Sequence, residues 1–136
     1  MKLLLFYAPE FWFRTHSKSI AEAPDDFREG RVEKCIVVFV HAEPKDAEDR
    51  TGVLTKTIKN VKWLAGKFDS RAVVLHFFSH LGSETASPEF AQALVAEARA
   101  RLESVGFAVE TTPFGHFCEF RLAVAGESLA KVFKEF

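Results

Sequence analysis

The sequence predicts an α/β fold in which mixed β-sheet layers pack with about three helices, and two observations carry the prediction. Lys34 to Val40 and Ala72 to Phe78 read KCIVVFV and AVVLHFF, continuous apolar runs of the kind buried on both faces of a sheet. Apolar residues then recur at helical spacing at Val53, Leu54, Ile58, Val61, Leu64, Ala65 and Phe68, and again at 91, 94, 95, 98, 102 and 105. At 136 residues the chain has the size of one domain with a real core. Fifteen phenylalanines make that core aromatic.

Taken in order, Lys2 to Ala8 reads as a first, buried strand. The apolar run from Leu3 stops at Pro9 and Glu10, too soon for a membrane span or a signal peptide. After Pro9, Phe11 and Phe13 alternate with Glu10, Trp12 and Arg14, which suggests a second strand doubling back. Thr15 to Arg31 is polar and holds Pro24 and Gly30, as a surface loop does. His41 to Arg50 reads as another charged loop before the first helix. Lys56, Lys59 and Lys62 fall on that helix's outer face, where a solvated face is a better account than phosphate contact.

The second helix has explicit punctuation, with Ser87 as N-cap, Pro88 at the first helical position and Gly106 as the stop. Phe107 to Val109 makes a short strand. From Cys118 to Val124 apolar and polar residues alternate, so a strand carries His116 and Cys118 toward the core side. Leu129, Val132, Phe133 and Phe136 then mark a last helix, with Lys131 and Lys134 off its apolar stripe.

Charge and cysteine content narrow the function. Eighteen Lys plus Arg against nineteen Asp plus Glu leave a formal charge of −1, without the basic footprint of a protein that grips nucleic acid by long-range charge. Cys35 and Cys118 fit no metal-ligand spacing, and the simplest setting is a reduced, cytoplasmic one. A glycine-rich phosphate loop, a paired-histidine metal motif and a Gly-x-Ser-x-Gly elbow are all missing. No metal or cofactor is expected.

Polar side chains at strand ends are what remain. His80 follows the AVVLHFF strand, where α/β folds commonly place ligand groups, although a lone histidine is more often a satisfied buried one than a catalyst. The stretch Thr111 to Phe120, TTPFGHFCEF, turns a Pro-Phe-Gly corner into a strand bearing His116, Cys118 and Glu119. Pro113 restricts Thr112 to extended backbone and Gly115 is free to adopt angles closed to other residues, so the corner suits a ligand or an ordinary turn. Cys118 beside a histidine has the elements of a thiol nucleophile and its base, although a cysteine facing the core is more often inert.

Read whole, the chain resembles the N-terminal editing domain of archaeal threonyl-tRNA synthetases, similar in fold to the D-aminoacyl-tRNA deacylases. The resemblance rests on KLLLFYA at the start, EGRVEKCIVVFVHAE at 29 to 43, FFSHLGSETASP at 77 to 88, VGF at 105 to 107 and PFG at 113 to 115. It implies a single editing domain over 1–136, the N-terminal part of a larger synthetase, that hydrolyses seryl-tRNA(Thr). It further implies tRNA(Thr) as partner, a homodimer, and an RNA 2′-OH that helps to activate water. Serine lacks one methyl of threonine, a difference worth only about 1–3 kcal/mol of discrimination, so a second hydrolytic site restores fidelity.

By the same resemblance the pocket histidine falls on His80 and the pocket phenylalanine on Phe114. Backbone groups for the amino acid fall at His41, Ala42 and Glu43, and Ser79, Gly115, His116, Phe117 and Cys118 join the substrate-binding set. Two positions depart from the family pattern. A lysine is expected where Cys118 stands, and a glutamate on the last helix where Lys131 stands. The expectation is that the ammonium has changed sides, with Lys131 reaching from the helix toward Cys118 to act with His80 in catalysis; the alternative is a solvated lysine. A D-aminoacyl-tRNA deacylase and a non-catalytic tRNA-binding or dimerisation module are the competing readings.

Overall fold

Alternation along the second strand decides the layering. Ile36, Val38 and Val40 enter a core of 19 buried residues, while Cys35, Val37 and Phe39 enter a separate core of 7. The computed structural model describes residues 1–136 and contains six strands and two α-helices. They are β1 (Lys2–Lys18), β2 (Glu29–His41), α1 (Arg50–Lys67), β3 (Ala72–Phe77), α2 (Pro88–Ser104), β4 (Ala108–Thr111), β5 (His116–Ala123) and β6 (Lys131–Glu135). The sheet runs β4-β3-β2-β1-β5, with β6 also against β1. β2, β3 and β4 are parallel, joined by α1 and α2, and β1 is antiparallel to each of its neighbours.

Both helices lie over the larger core. α1 begins where Asp49 accepts a hydrogen bond from Gly52 N at 3.0 Å, and it buries Val53, Leu54, Val61, Leu64 and Ala65, close to the expected stripe. α2 begins with Ser87 accepting from Phe90 N at 3.2 Å, and Gly106 follows its end with φ +94°. Leu54, Leu64, Leu94 and Leu102 are essentially unexposed, each worth roughly 1.5–3 kcal/mol of burial.

The opposite face is closed by curling rather than by helices. Phe120 of β5 lies 5.6 Å from the ring of Phe39 on β2 and 5.1 Å from that of His76 on β3. β1 stands between β5 and both of those strands in the hydrogen-bonded order, so the sheet rolls over to bring them together. Gly30 is required where it does so: a side chain there would start 2.5 Å from the Phe13 ring.

Several elements differ from the sequence reading. β1 is one strand of 17 residues, without the turn expected at Pro9. The β1–β2 ladder passes from Ala8↔Cys35 to Glu10↔Glu33 without pairing Pro9, which has no N–H to give. Opposite it, Lys34 takes φ +50°, and across this point the buried positions of β1 change from Leu3 and Leu5 in one core to Phe11 and Phe13 in the other. The strand therefore bends and exchanges faces. The expected loops shrink accordingly, because β1 runs on to Lys18, β2 starts at Glu29, and Pro44–Asp49 forms a 3-10 turn.

The last helix is a strand. Only Ser128–Ala130 makes a 3-10 turn, and Lys131–Glu135 pairs antiparallel with Lys2–Phe6. β5 covers β1 only from Glu10 onward, so the earlier edge has free backbone donors and acceptors that a short strand satisfies. Two α-helices thus stand where about three were expected.

Candidate functional site

The Pro-Phe-Gly corner is a docking point within the chain. Gly115 has φ +69°, and its carbonyl accepts from Ser19 N at 2.8 Å and Ile20 N at 3.2 Å. A side chain at Gly115 would begin 2.6 Å from Ala23 Cβ, so glycine is needed for both angle and space. His116 completes the link: Nδ1 donates to Phe114 O at 2.8 Å and Nε2 accepts from Asp26 N at 3.4 Å. Both of its nitrogens are committed.

A second histidine staple secures the loop after β3. His41, 1% exposed, accepts from Leu81 N on Nδ1 at 3.0 Å and donates from Nε2 to Glu84 O at 2.7 Å. Phe78 N donates to Val40 O at 3.1 Å and Ala86 N to Ala42 O at 2.9 Å, so this loop is fixed to the end of β2 by backbone as well.

Between the two fixed segments lies a cleft of about 490 Å³. Its walls come from the β3 exit, the start of α2, the Pro-Phe-Gly corner and the first half of β5. Lysine, arginine, aspartate and glutamate contribute none of its lining. The lining therefore brings no side-chain charge of its own that a ligand would have to compensate.

Eight of the residues singled out in the sequence line it: Ala42, Ser79, His80, Phe114, Gly115, His116, Phe117 and Cys118. His80 is exposed, with its ring edge-on to Phe78 at 5.2 Å. Phe114 packs edge-on to Phe77 at 5.5 Å. His41 and Glu43 stand behind the wall rather than in it. Glu43 N donates to Asp46 at 2.7 Å, and its carboxylate takes Lys2 at 2.6 Å and the N-terminal ammonium at 2.7 Å. Although burial works to raise its pKa, those two partners hold Glu43 down to about 2.

Lys131 also lies outside the cleft lining. It starts β6 opposite Phe6, and its Nζ donates to Ala125 O at 2.8 Å and Glu127 O at 3.3 Å. Cys118 is on β5 opposite Thr15, so the reach imagined from a helix has no helix to start from. The difference follows from the strand identity of β6.

Sequence reasoning passed over His76, Thr85, Ala86, Pro88 and Ala91, which also line the cleft. His76 sits inside the apolar run AVVLHFF, and a polar residue in such a run needs a buried partner. That was the available signal. Burial holds the His76 imidazole down to about 4 and pushes the Cys35 thiol up to about 12. Burial also raises Cys118, with Arg28 opposing, so this thiol stays protonated at neutral pH and is a poor nucleophile.

The fold and site define an α/β domain with an uncharged, histidine-edged cleft at the strand ends. Residues 1–136 match the family described as the Archaea-specific editing domain of threonyl-tRNA synthetase, and the chain belongs to that family. It is 31% identical over 133 residues to the "Threonine--tRNA ligase" of Methanopyrus kandleri, covering 97% of this chain and 21% of that protein. The corresponding protein of Methanoregula boonei is 31% identical over 134 residues, 98% of this chain and 22% of that one. The chain thus spans about a fifth of the curated relatives it matches.

Among solved structures, a "c-Myc DNA Unwinding Element Binding Protein" shares the fold, with TM-score 0.71, 9% identity and coverage of 100% of this chain and 99% of that one. The mixed α/β class expected from the sequence stands, with two α-helices where about three were expected. No helix is long and apolar enough to cross a membrane.

Proposed function

We propose that this domain hydrolyses L-seryl-tRNA(Thr), cleaving the ester between serine and the 3′-terminal adenosine. Membership of an editing family carries the reading, and the uncharged cleft with His80 at its edge is where the ester binds. In the reaction a water oxygen bonds to the ester carbonyl carbon, the bond to O3′ breaks, and O3′ takes a proton, which releases serine and tRNA. His80 orients the ester from the rim. Besides His80, the cleft offers a protonated thiol at Cys118, a fully bonded imidazole at His116 and His76, whose Nδ1 is occupied by Thr112, and none of these three is fit to activate water. The ribose 2′-OH of the terminal adenosine supplies that assistance.

Partner and assembly follow the same reading: the 3′ end of tRNA(Thr) as ligand, a homodimer in solution, and a place in the cytoplasm as part of a larger synthetase. One observation favours a second reading. Cys118 occupies the position where the family resemblance calls for lysine, and a module that binds tRNA without turnover would tolerate that exchange. Deacylation of L-seryl-tRNA(Thr) and L-threonyl-tRNA(Thr), measured side by side, separates the two. Rapid loss of serine with threonine spared is expected; no loss of either from folded protein supports the binding module. D-aminoacyl-tRNA, run in parallel, is expected to survive.

A further inference from the structure

His76 is carried by the sheet itself to the inner wall of the cleft. It is 6% exposed and ringed by Phe39, Phe120 and Phe78, with centroids at 4.8, 5.1 and 5.9 Å. Its Nδ1 lies 2.9 Å from Thr112 Oγ1, and that oxygen also accepts from Phe77 N at 3.3 Å. Thr112 is 2% exposed, and Nδ1 is the partner for its hydroxyl hydrogen. The hydroxyl therefore donates to Nδ1, and the neutral ring carries its own proton on Nε2. Every buried side-chain nitrogen and oxygen in the protein has a partner. Nε2 has none from the protein, so it opens on the cleft that His76 lines.

We propose that His76 is a specificity and positioning residue, whose Nε2–H donates a hydrogen bond to the side-chain hydroxyl oxygen of the aminoacyl group. The assignment rests on the seryl-ester reading above. Phe78, Phe120 and Cys118 contribute apolar wall to the same cleft, so one fixed donor is set among groups that offer a hydroxyl little competition. Such a donor separates a hydroxymethyl side chain from a plain methyl, which apolar walls alone do poorly. His76 acts as a donor, and its Nδ1 is occupied by Thr112, so it does not serve as the base.

The test uses adenosine carrying serine or alanine through a non-hydrolysable 3′-amide. The wild-type chain is expected to bind the seryl amide about tenfold more tightly than the alanyl amide, the scale of one hydrogen bond. His76→Phe, which fills the aromatic cage without a donor, is expected to bind both at the alanyl level, and His76→Gln to recover part of the preference. In turnover of L-seryl-tRNA(Thr), His76→Phe should raise KM about tenfold and leave kcat within about threefold. An undiminished seryl preference in His76→Phe overturns the assignment. So does a ¹⁵N spectrum of the wild-type chain that places the proton on Nδ1, a measurement that needs no variant to fold. A seryl preference that depends on His76 without any hydrolysis supports the donor and rejects the hydrolytic reading.

Discussion

The two faces of this sheet are built from the same strands and have different tasks. On the helix-covered face, Ile36, Val38, Val73 and Leu75 pack against α1 and α2 in a largely aliphatic core that reaches the cleft only at its end, through Val40 and Ala42. On the curled face, Phe39, Val74, Phe11 and Phe13 form a smaller, ring-rich core, and Phe78 and Cys118, packed against it, line the cleft. Successive residues of β2 and β3 serve one face and then the other. The buried middle of the helix-covered core, away from Val40 and Ala42, can therefore be altered without touching the cleft lining.

The sharpest way to break that comparison is a cavity on the helix face. Leu64→Ala should cost about 2–5 kcal/mol in denaturant unfolding, with hydrolysis per folded molecule unchanged. A large loss of turnover in the folded fraction would show that the faces are coupled.

Acid separates the faces a second way. For His76 the folded pKa of about 4 lies below its ordinary 6.5, so the unfolded chain takes up a proton first as pH falls. Stability contributed by keeping His76 neutral is complete above pH 6.5 and is lost through pH 4, up to about 3 kcal/mol. Glu43 has a folded value of about 2 against 4.5, so its contribution holds above pH 4.5 and disappears through pH 2. Urea titrations should resolve two windows, with His76→Phe flattening the upper and Glu43→Gln the lower.

On the cleft side, His80→Ala should slow seryl-tRNA(Thr) hydrolysis about 100-fold, the scale of a misplaced substrate, while unfolding shifts by less than about 0.5 kcal/mol. The smallest effects are expected from Cys118→Ala and Lys131→Ala. Neither should change turnover more than about twofold, since the thiol is protonated and the ammonium is bound to Ala125 and Glu127 carbonyls. Loss of hydrolysis in Lys131→Ala with Lys134→Ala intact would return Lys131 to the site.

How much of this was legible depended on whether a signal was local. KCIVVFV, the Ser87-Pro88 cap and the Pro-Phe-Gly corner state their structure within a few residues, and each appears as read. Leu129, Val132, Phe133 and Phe136 fit a helix by spacing, but the strand they join is decided by the unpaired edge of β1, over a hundred residues earlier in the chain. Lys131 was singled out by the family resemblance, and the reach toward Cys118 expected of it assumed that helix. Pro9 read as a break because only the partner strand shows that its missing N–H is not needed. His76 was hidden by its neighbours: its role requires Thr112, brought to it from beyond β4.

The pairing of β6 with the first residues of β1 has a consequence for how the chain is made. Lys2 meets Glu135, so an edge made early in the domain waits for the domain's last strand. At about 5–20 residues per second that interval lasts roughly 6–23 seconds, and even after β2 and the helices have covered Leu3 and Leu5 the outer edge of β1 stays bare until β6 is made. Translation speed across residues 19 to 131 thus sets how long a nascent chain presents an open strand to its neighbours on the same message.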